Sequence, residues 1–181
     1  MSIRESYRLT VIIMVLFIAP SLSFGQSSSH QKDKKQTLLA TRFQESKLLA
    51  DSACFTFTAN FANSLIASNV PLMGLQYDLQ VNGDSIKVFL PYYGISRIAP
   101  AYGSGDRGIK YVGLIDDYQV KINEHKKRVI ITFKSTDNNQ ESFKYTLFFG
   151  ASGAATLSIN SSHRDQISYF GDRFCPTISN D

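Results

Sequence analysis

From Ala53 onward the chain is written in a period of two. Phe55, Phe57 and Ala59 alternate with Cys54, Thr56 and Thr58, and Leu75, Tyr77, Leu79 and Val81 alternate with Gln76, Asp78 and Gln80. Such alternation marks antiparallel strands with one face buried and one in water. "NGD" at Asn82 to Asp84 interrupts the pattern, and "SIKVFL" resumes it with Ile86, Val88 and Leu90, which predicts a tight hairpin. Further strands are expected over Ile109 to Ile115, Tyr118 to Asn123, Val129 to Phe133, Phe143 to Phe149 and Ala154 to Ile159, with a short last one over Ile167 to Phe170. "DD", "EHKKR", "STDNNQ", "GASG" and "NSSHRD" separate them as turns. The expected fold is therefore all-β, an antiparallel up-and-down meander of about eight strands, which hides its edges by closing into a lipocalin-like barrel or folding into two layers. Phe55, Phe57, Tyr77, Tyr111, Phe133, Phe143, Tyr145 and Phe149 fall on the inward pattern. Rings of this size can fill a small barrel or line a cavity for one small ligand, and the pattern allows both.

Before Ala53 the period changes to three or four. Leu38, Leu39, Phe43, Leu49 and Ala50 recur at helical spacing without Gly or Pro, so one amphipathic helix is expected over 35–50. "QSSSHQKDKKQ" ahead of it has no periodicity, and 26–34 are read as a flexible leader. The N-terminus has Arg4 and Arg8, the apolar run "LTVIIMVLFIA" and then "PSLSFG". This is the layout of a secretory signal peptide over 1–25, with cleavage between Gly25 and Gln26. Its apolar run is shorter than the roughly 20 residues that cross a bilayer. A periplasmic or secreted mature chain is expected, with 35–181 as one barrel domain carrying its N-terminal helix, and with no membrane span.

Charge narrows the partners. Loss of Arg4, Arg8 and Glu5 with the signal peptide takes the net charge from +4 to +3, too mild for a nucleic-acid surface. The one basic cluster, His125 to Arg128, lies between two strands and reads as a solvated hairpin tip. Export to an oxidising compartment permits one disulfide, Cys54 to Cys175, tying the first strand to the tail. His30, His125 and His163 lack ligand spacing, so neither metal nor cofactor is expected.

"LPYYGISRIAPAYGSGDRGIKYVG", Leu90 to Gly113, is too long for a plain hairpin connection, and long loops in compact domains often carry function. Pro91 must end a strand or sit at its edge. The segment offers Tyr92, Tyr93, Arg97, Tyr102, Asp106 and Arg107: flat rings with polar tips and planar cationic forks, able to grip a small anionic or sugar-like ligand or a peptide. The same residues can instead form a structural cap, with tyrosines plugging one barrel end and Arg97 or Arg107 paired with Asp106 or Asp84. "GSGDRG" lacks the Lys-Ser/Thr of a phosphate loop, and "SSHRD" at Ser161 to Asp165 sets Ser, His and Asp side by side in a turn without the convergence a triad needs.

"LPYYG", "YGSGDRGIKYVG" and "ISYFG" (Ile167 to Gly171) together resemble the exported bacterial proteins, mainly of Bacteroidetes, grouped as domain-of-unknown-function family 4251. The resemblance runs from the Phe55 strand to Gly171, and implies a lipocalin-like barrel in an exported setting with no established activity. The leading expectation is an exported, non-enzymatic binding protein for a small molecule, glycan or peptide, with its site at the barrel end rimmed by 90–108. The alternative is an envelope protein–protein interaction module with a solid core. A hydrolytic enzyme is the third reading.

Overall fold

The computed structural model describes residues 27–73, 76–97, 108–138 and 140–174. A helix, α1 (Ser27–Ser52), leads into β1 (Cys54–Ser64), β2 (Val70–Pro71), β3 (Asp78–Asn82), β4 (Ser85–Leu90), β5 (Ile109–Leu114), β6 (Asp116–Asn123), β7 (Arg128–Thr136), β8 (Ser142–Gly150), β9 (Ala154–Ser161) and β10 (Ile167–Phe174). The signal-peptide segment, with its expected cleavage point, lies outside the described residues. Among those residues no helix is long and apolar enough to cross a membrane.

The strands form one sheet in the order β5-β4-β3-β1-β10-β9-β8-β7-β6, with the two-residue β2 added on β1. Every neighbouring pair is antiparallel. The two end strands, β5 and β6, therefore run in the same direction, and Ile115 alone separates them. Together they act as one bent strand whose first half pairs with β4 and second half with β7. Counted this way the nearly closed barrel has eight alternating strands, as the hydrophobic period predicts. "DD", expected as a turn, is instead the bend itself: Asp117 takes a φ of 57°, the register shifts between Asp116 and Gln119, and Lys134 Nζ lies 2.8 Å from the Asp117 carboxylate. The expected neighbourhood of first and last strands is found, β1 against β10. The hairpin at "NGD" is also found, with Asn82 paired to Ser85 across Gly83 and Asp84.

Two boundaries differ from the pattern. The helix takes in the segment read as a leader, since residues 27–34 contain no Gly or Pro to stop it. It ends at Ala53, whose φ of 47° turns the chain into β1. The strand expected from Leu75 begins only at Asp78 among the described residues, and the last strand continues past Phe170 to Phe174.

Aromatic rings fill the interior. Phe55, Phe57, Phe133, Tyr145 and Tyr169 are fully buried, and Phe133 stacks on Tyr145 with 4.9 Å between centroids. Burying each such side chain contributes about 1.5–3 kcal/mol, so a filled barrel is the stable answer to the choice the pattern leaves open. Tyr111 and Tyr77 are half-buried. From residue 39 onward the helix buries Phe43, Ser46, Leu49 and Ala50, and Ser46 Oγ bonds Arg42 O at 2.7 Å while accepting from Arg173 Nη2. Tyr118 donates to Ala50 O at 2.7 Å.

At the β1–β10 seam the strands come unusually close. Gly171 pairs with Ala59 next to a register shift, and a Cβ added there would sit 1.9 Å from Thr58 O. Gly171→Ala must push the seam apart, and is expected to cost about 1–3 kcal/mol. Chemical denaturation of this variant checks it, and an unchanged midpoint would show that the close approach does not exist.

Candidate functional site

The Leu90–Arg97 segment is bound to the turn after β9 by backbone. Arg97 N donates to His163 O at 2.8 Å, Asp165 N donates to Ile95 O at 3.1 Å, and Ser96 bridges Arg164. Proline explains where this begins: β4 stops at Leu90, and Pro91, having no N–H, leaves the ladder and offers its carbonyl to Tyr169 Oη at 2.7 Å.

The expected site residues separate in use. Tyr92 is buried, and its hydroxyl lies 3.0 Å from both Ile95 O and Asp165 O, donating to one at a time. Its ring folds back over Gly94, where a Cβ would meet the hydroxyl at 2.4 Å, so "YYG" needs its glycine for packing. Tyr111 and Gly113 repeat the arrangement in "YVG". Burial first, and then the Asp165 carboxylate, raise the Tyr92 hydroxyl above its ordinary pKa. Tyr93 is half-buried against the core. Arg97 is exposed, and its Nη2 donates to Asp165 Oδ1 at 3.0 Å, an acidic partner not considered from sequence. Tyr102, Asp106 and Arg107 lie outside the described residues. So does Cys175; Cys54, on the outward face of β1 with Thr56 and Thr58, is half-buried.

Beneath this surface is an ion pair that sequence reasoning missed. Arg164 donates to Glu141 through Nε (2.9 Å to Oε1) and Nη2 (3.0 Å to Oε2), a two-pronged pair whose side chains are 21% and 6% exposed. Arg164 Nη1 also reaches Gly108 O at 3.3 Å, and its guanidinium stands 5.4 Å from the centre of the Tyr92 ring. One side chain thus joins the 137–141 turn, the start of β5 and the 91–97 segment. The hairpin register was the available signal. Phe143 pairs with Ser161, which sets Glu141 and the "SSHRD" turn side by side at one end of the β8–β9 hairpin. That turn, read from sequence only as a connection between strands, is structural. Ser161 Oγ donates to Glu141 Oε1 and accepts from the backbone N–H groups of His163 and Arg164, while Asp165 is held by Arg97. Its Ser, His and Asp form no relay.

Over the ion pair lies a groove of about 550 Å³ whose lining includes Asn63, Arg97, Asn160, Asp165, Gln166 and Ser168. Gln166 Nε2 donates to Ser158 Oγ at 2.8 Å, which holds its amide toward the outer face. Amides, hydroxyls, the Arg97–Asp165 pair and Arg164, itself paired with Glu141, give the groove both donors and acceptors and little net charge.

None of the curated proteins matches the chain. Among solved structures it is similar to a crystal structure of a DUF4251 family protein from Bacteroides eggerthii, with 15% identity, a TM-score of 0.57, and coverage of 77% of this chain and 91% of that one. At that identity the likeness carries the fold, and it is the same barrel class. The model of the domain of unknown function DUF4251 matches residues 37–173, from within the helix to the end of β10, and the chain belongs to that family.

Proposed function

We propose that the mature chain is an exported, non-enzymatic binding protein whose site is the barrel-end groove that Arg97 of the Leu90–Gly108 segment lines. The observation that carries this is the contrast between a ring-filled interior and an open, polar groove of about 550 Å³ built on a rigid base. A ligand therefore sits on the barrel end, against Arg97, Asp165 and the Asn63, Asn160 and Gln166 amides, and not inside the barrel. Pockets of 300 Å³ and more are of the size that holds small ligands.

A thermal-shift screen of the mature protein against short peptides, cell-wall fragments and oligosaccharides tests the reading. A ligand at 100 times its Kd adds about 2.7 kcal/mol of stability. Arg97→Ala and Gln166→Ala are each expected to reduce that gain sharply while leaving the unliganded midpoint unchanged, because Arg97 is exposed and its pair with Asp165 is a surface one. A hit indifferent to both substitutions, or no hit in any class, overturns the site.

One observation favours the second reading, an envelope interaction module. Phe61 and Phe170 are cross-strand partners on the outside of the β1–β10 pair, each 40% exposed. Such an outward ring pair on a solid barrel suits a protein contact. Co-purification that is abolished by Phe61→Ser and unaffected by Arg97→Ala would favour it.

A further inference from the structure

A second groove lies on the outer face of β3, β4 and β5, apart from the barrel-end site. The register lays out its floor. Thr58, Asp78, Phe89 and Lys110 form one row across four strands, and Thr56, Gln80, Lys87 and Val112 form the next. The two rows are two residues apart along the strands, about 7 Å. The groove between and around them measures about 640 Å³.

Asp78 is the unusual member. It faces outward, where a carboxylate normally stands in water, yet it is only 7% exposed. Its hydrogen-bond partner there is the Gln80 amide, Nε2 to Oδ2 at 2.7 Å. That bond leaves the other carboxylate oxygen and the Gln80 carbonyl as acceptors. Lys87 and Lys110 line the same groove and can only donate, and Phe89 and Val112 supply its apolar part. The Phe89 ring is braced by Tyr77, 5.4 Å away between centroids, and by the Lys110 ammonium 4.9 Å from its centre.

We infer that this groove is a carbohydrate site, taking a neutral, hydroxyl-rich sugar ring. A cation would meet two lysines, an anion would meet Asp78, and an apolar ligand would leave the buried carboxylate without new partners. Sugar hydroxyls both donate and accept, so neighbouring hydroxyls can satisfy Asp78 and Gln80 on one side and Lys87 on the other. The C–H face of the sugar lies against the apolar part of the groove, which Phe89 and Val112 supply. A peptide cannot add as a strand to β3 or β4, whose backbones are each paired on both sides.

The test is a ¹⁵N-resolved NMR titration of the mature protein with maltohexaose, cellohexaose, xylohexaose and mannohexaose. At least one is expected to shift the amide signals of Gln80, Lys87, Phe89 and Val112 saturably. Gln80→Ala and Lys87→Ala, both solvent-side positions, should weaken that binding about tenfold or more while the spectrum elsewhere keeps its folded dispersion. The inference is overturned if none of the four sugars shifts these signals, or if both variants bind unchanged. Shifts confined to Arg97, Gln166 and Ser168 would also overturn it, while supporting the barrel-end site.

Discussion

Glu141→Ala should destabilise the protein by about 3–5 kcal/mol, the effect of removing one partner from a buried ion pair. Arg164 then loses the two-pronged acceptor that answers its charge in a setting only 21% exposed, and the Gly108 carbonyl and the Tyr92 ring face do not replace a carboxylate. The Ser161 hydroxyl loses its acceptor too, and with it goes support for the turn that holds His163 and Arg164. The damage should reach the candidate site, since Arg97 and Ile95 are bonded to that turn through the backbone. Urea unfolding gives the energy, and hydrogen exchange at Arg97 and Asp165 reports the local loosening. A second variant separates the pair from its surroundings. Glu141→Leu with Arg164→Met removes both charges and should cost clearly less than Glu141→Ala alone, because neither half of the pair is left behind without the other. A loss under about 1 kcal/mol for Glu141→Ala would mean that the pair is solvated in solution, and the rigid base assigned to the groove would fall with it.

What was legible in the sequence follows from which interactions are local. Strand alternation is a property of successive residues, and so the strands, their antiparallel order and the inward set from Phe55 to Phe149 could be read directly. The bend at Ile115 to Asp117 could not. "DD" is turn-like in isolation, and only Lys134, brought alongside by the β6–β7 pairing, makes it a bulge inside a continuing strand. The Leu90–Gly113 segment was legible as a connection too long for a plain hairpin, with Arg97 among its cationic forks. Which of its rings would face in was not, since Tyr92 and Tyr93 are adjacent and equivalent on paper. Their difference lies in Gly94, which leaves room for the Tyr92 ring, and in the carbonyls of Ile95 and Asp165 that receive its hydroxyl. Glu141 and Arg164 were hidden for the same reason. They are 23 residues apart, and each sits in a stretch whose composition is that of a solvated turn.

Raising the pH past 10 should unfold the protein steeply, and the cause is a set of tyrosines whose hydroxyls the fold keeps protonated. Tyr145 and Tyr169 are fully buried, the first beside Ser135 Oγ at 3.2 Å and the second donating to Pro91 O. Burial is the main reason that both hydroxyls stand far above the ordinary tyrosine value, and it raises Tyr118 in the same direction. In the unfolded chain these groups ionise near pH 10. Below that pH both states hold their protons and the stabilisation is fully present. Above it the unfolded state releases protons that the folded state retains, so stability falls with rising pH until the folded values are reached. Each such tyrosine contributes about 1.4 kcal/mol per pH unit, so Tyr145 and Tyr169 alone give about 3 kcal/mol per unit, enough to exhaust a typical stability within a few units. Urea midpoints measured from pH 8 to 12, with tyrosinate absorbance followed in parallel, should show ionisation of the buried rings coinciding with unfolding. Tyr145→Phe is less stable at neutral pH, for the lost Ser135 contact, yet its stability should fall less steeply above pH 10. A wild-type midpoint that stays level to pH 11.5, or a Tyr145→Phe slope equal to wild type, would show that water reaches these hydroxyls and that the barrel is less tightly filled than its rings indicate.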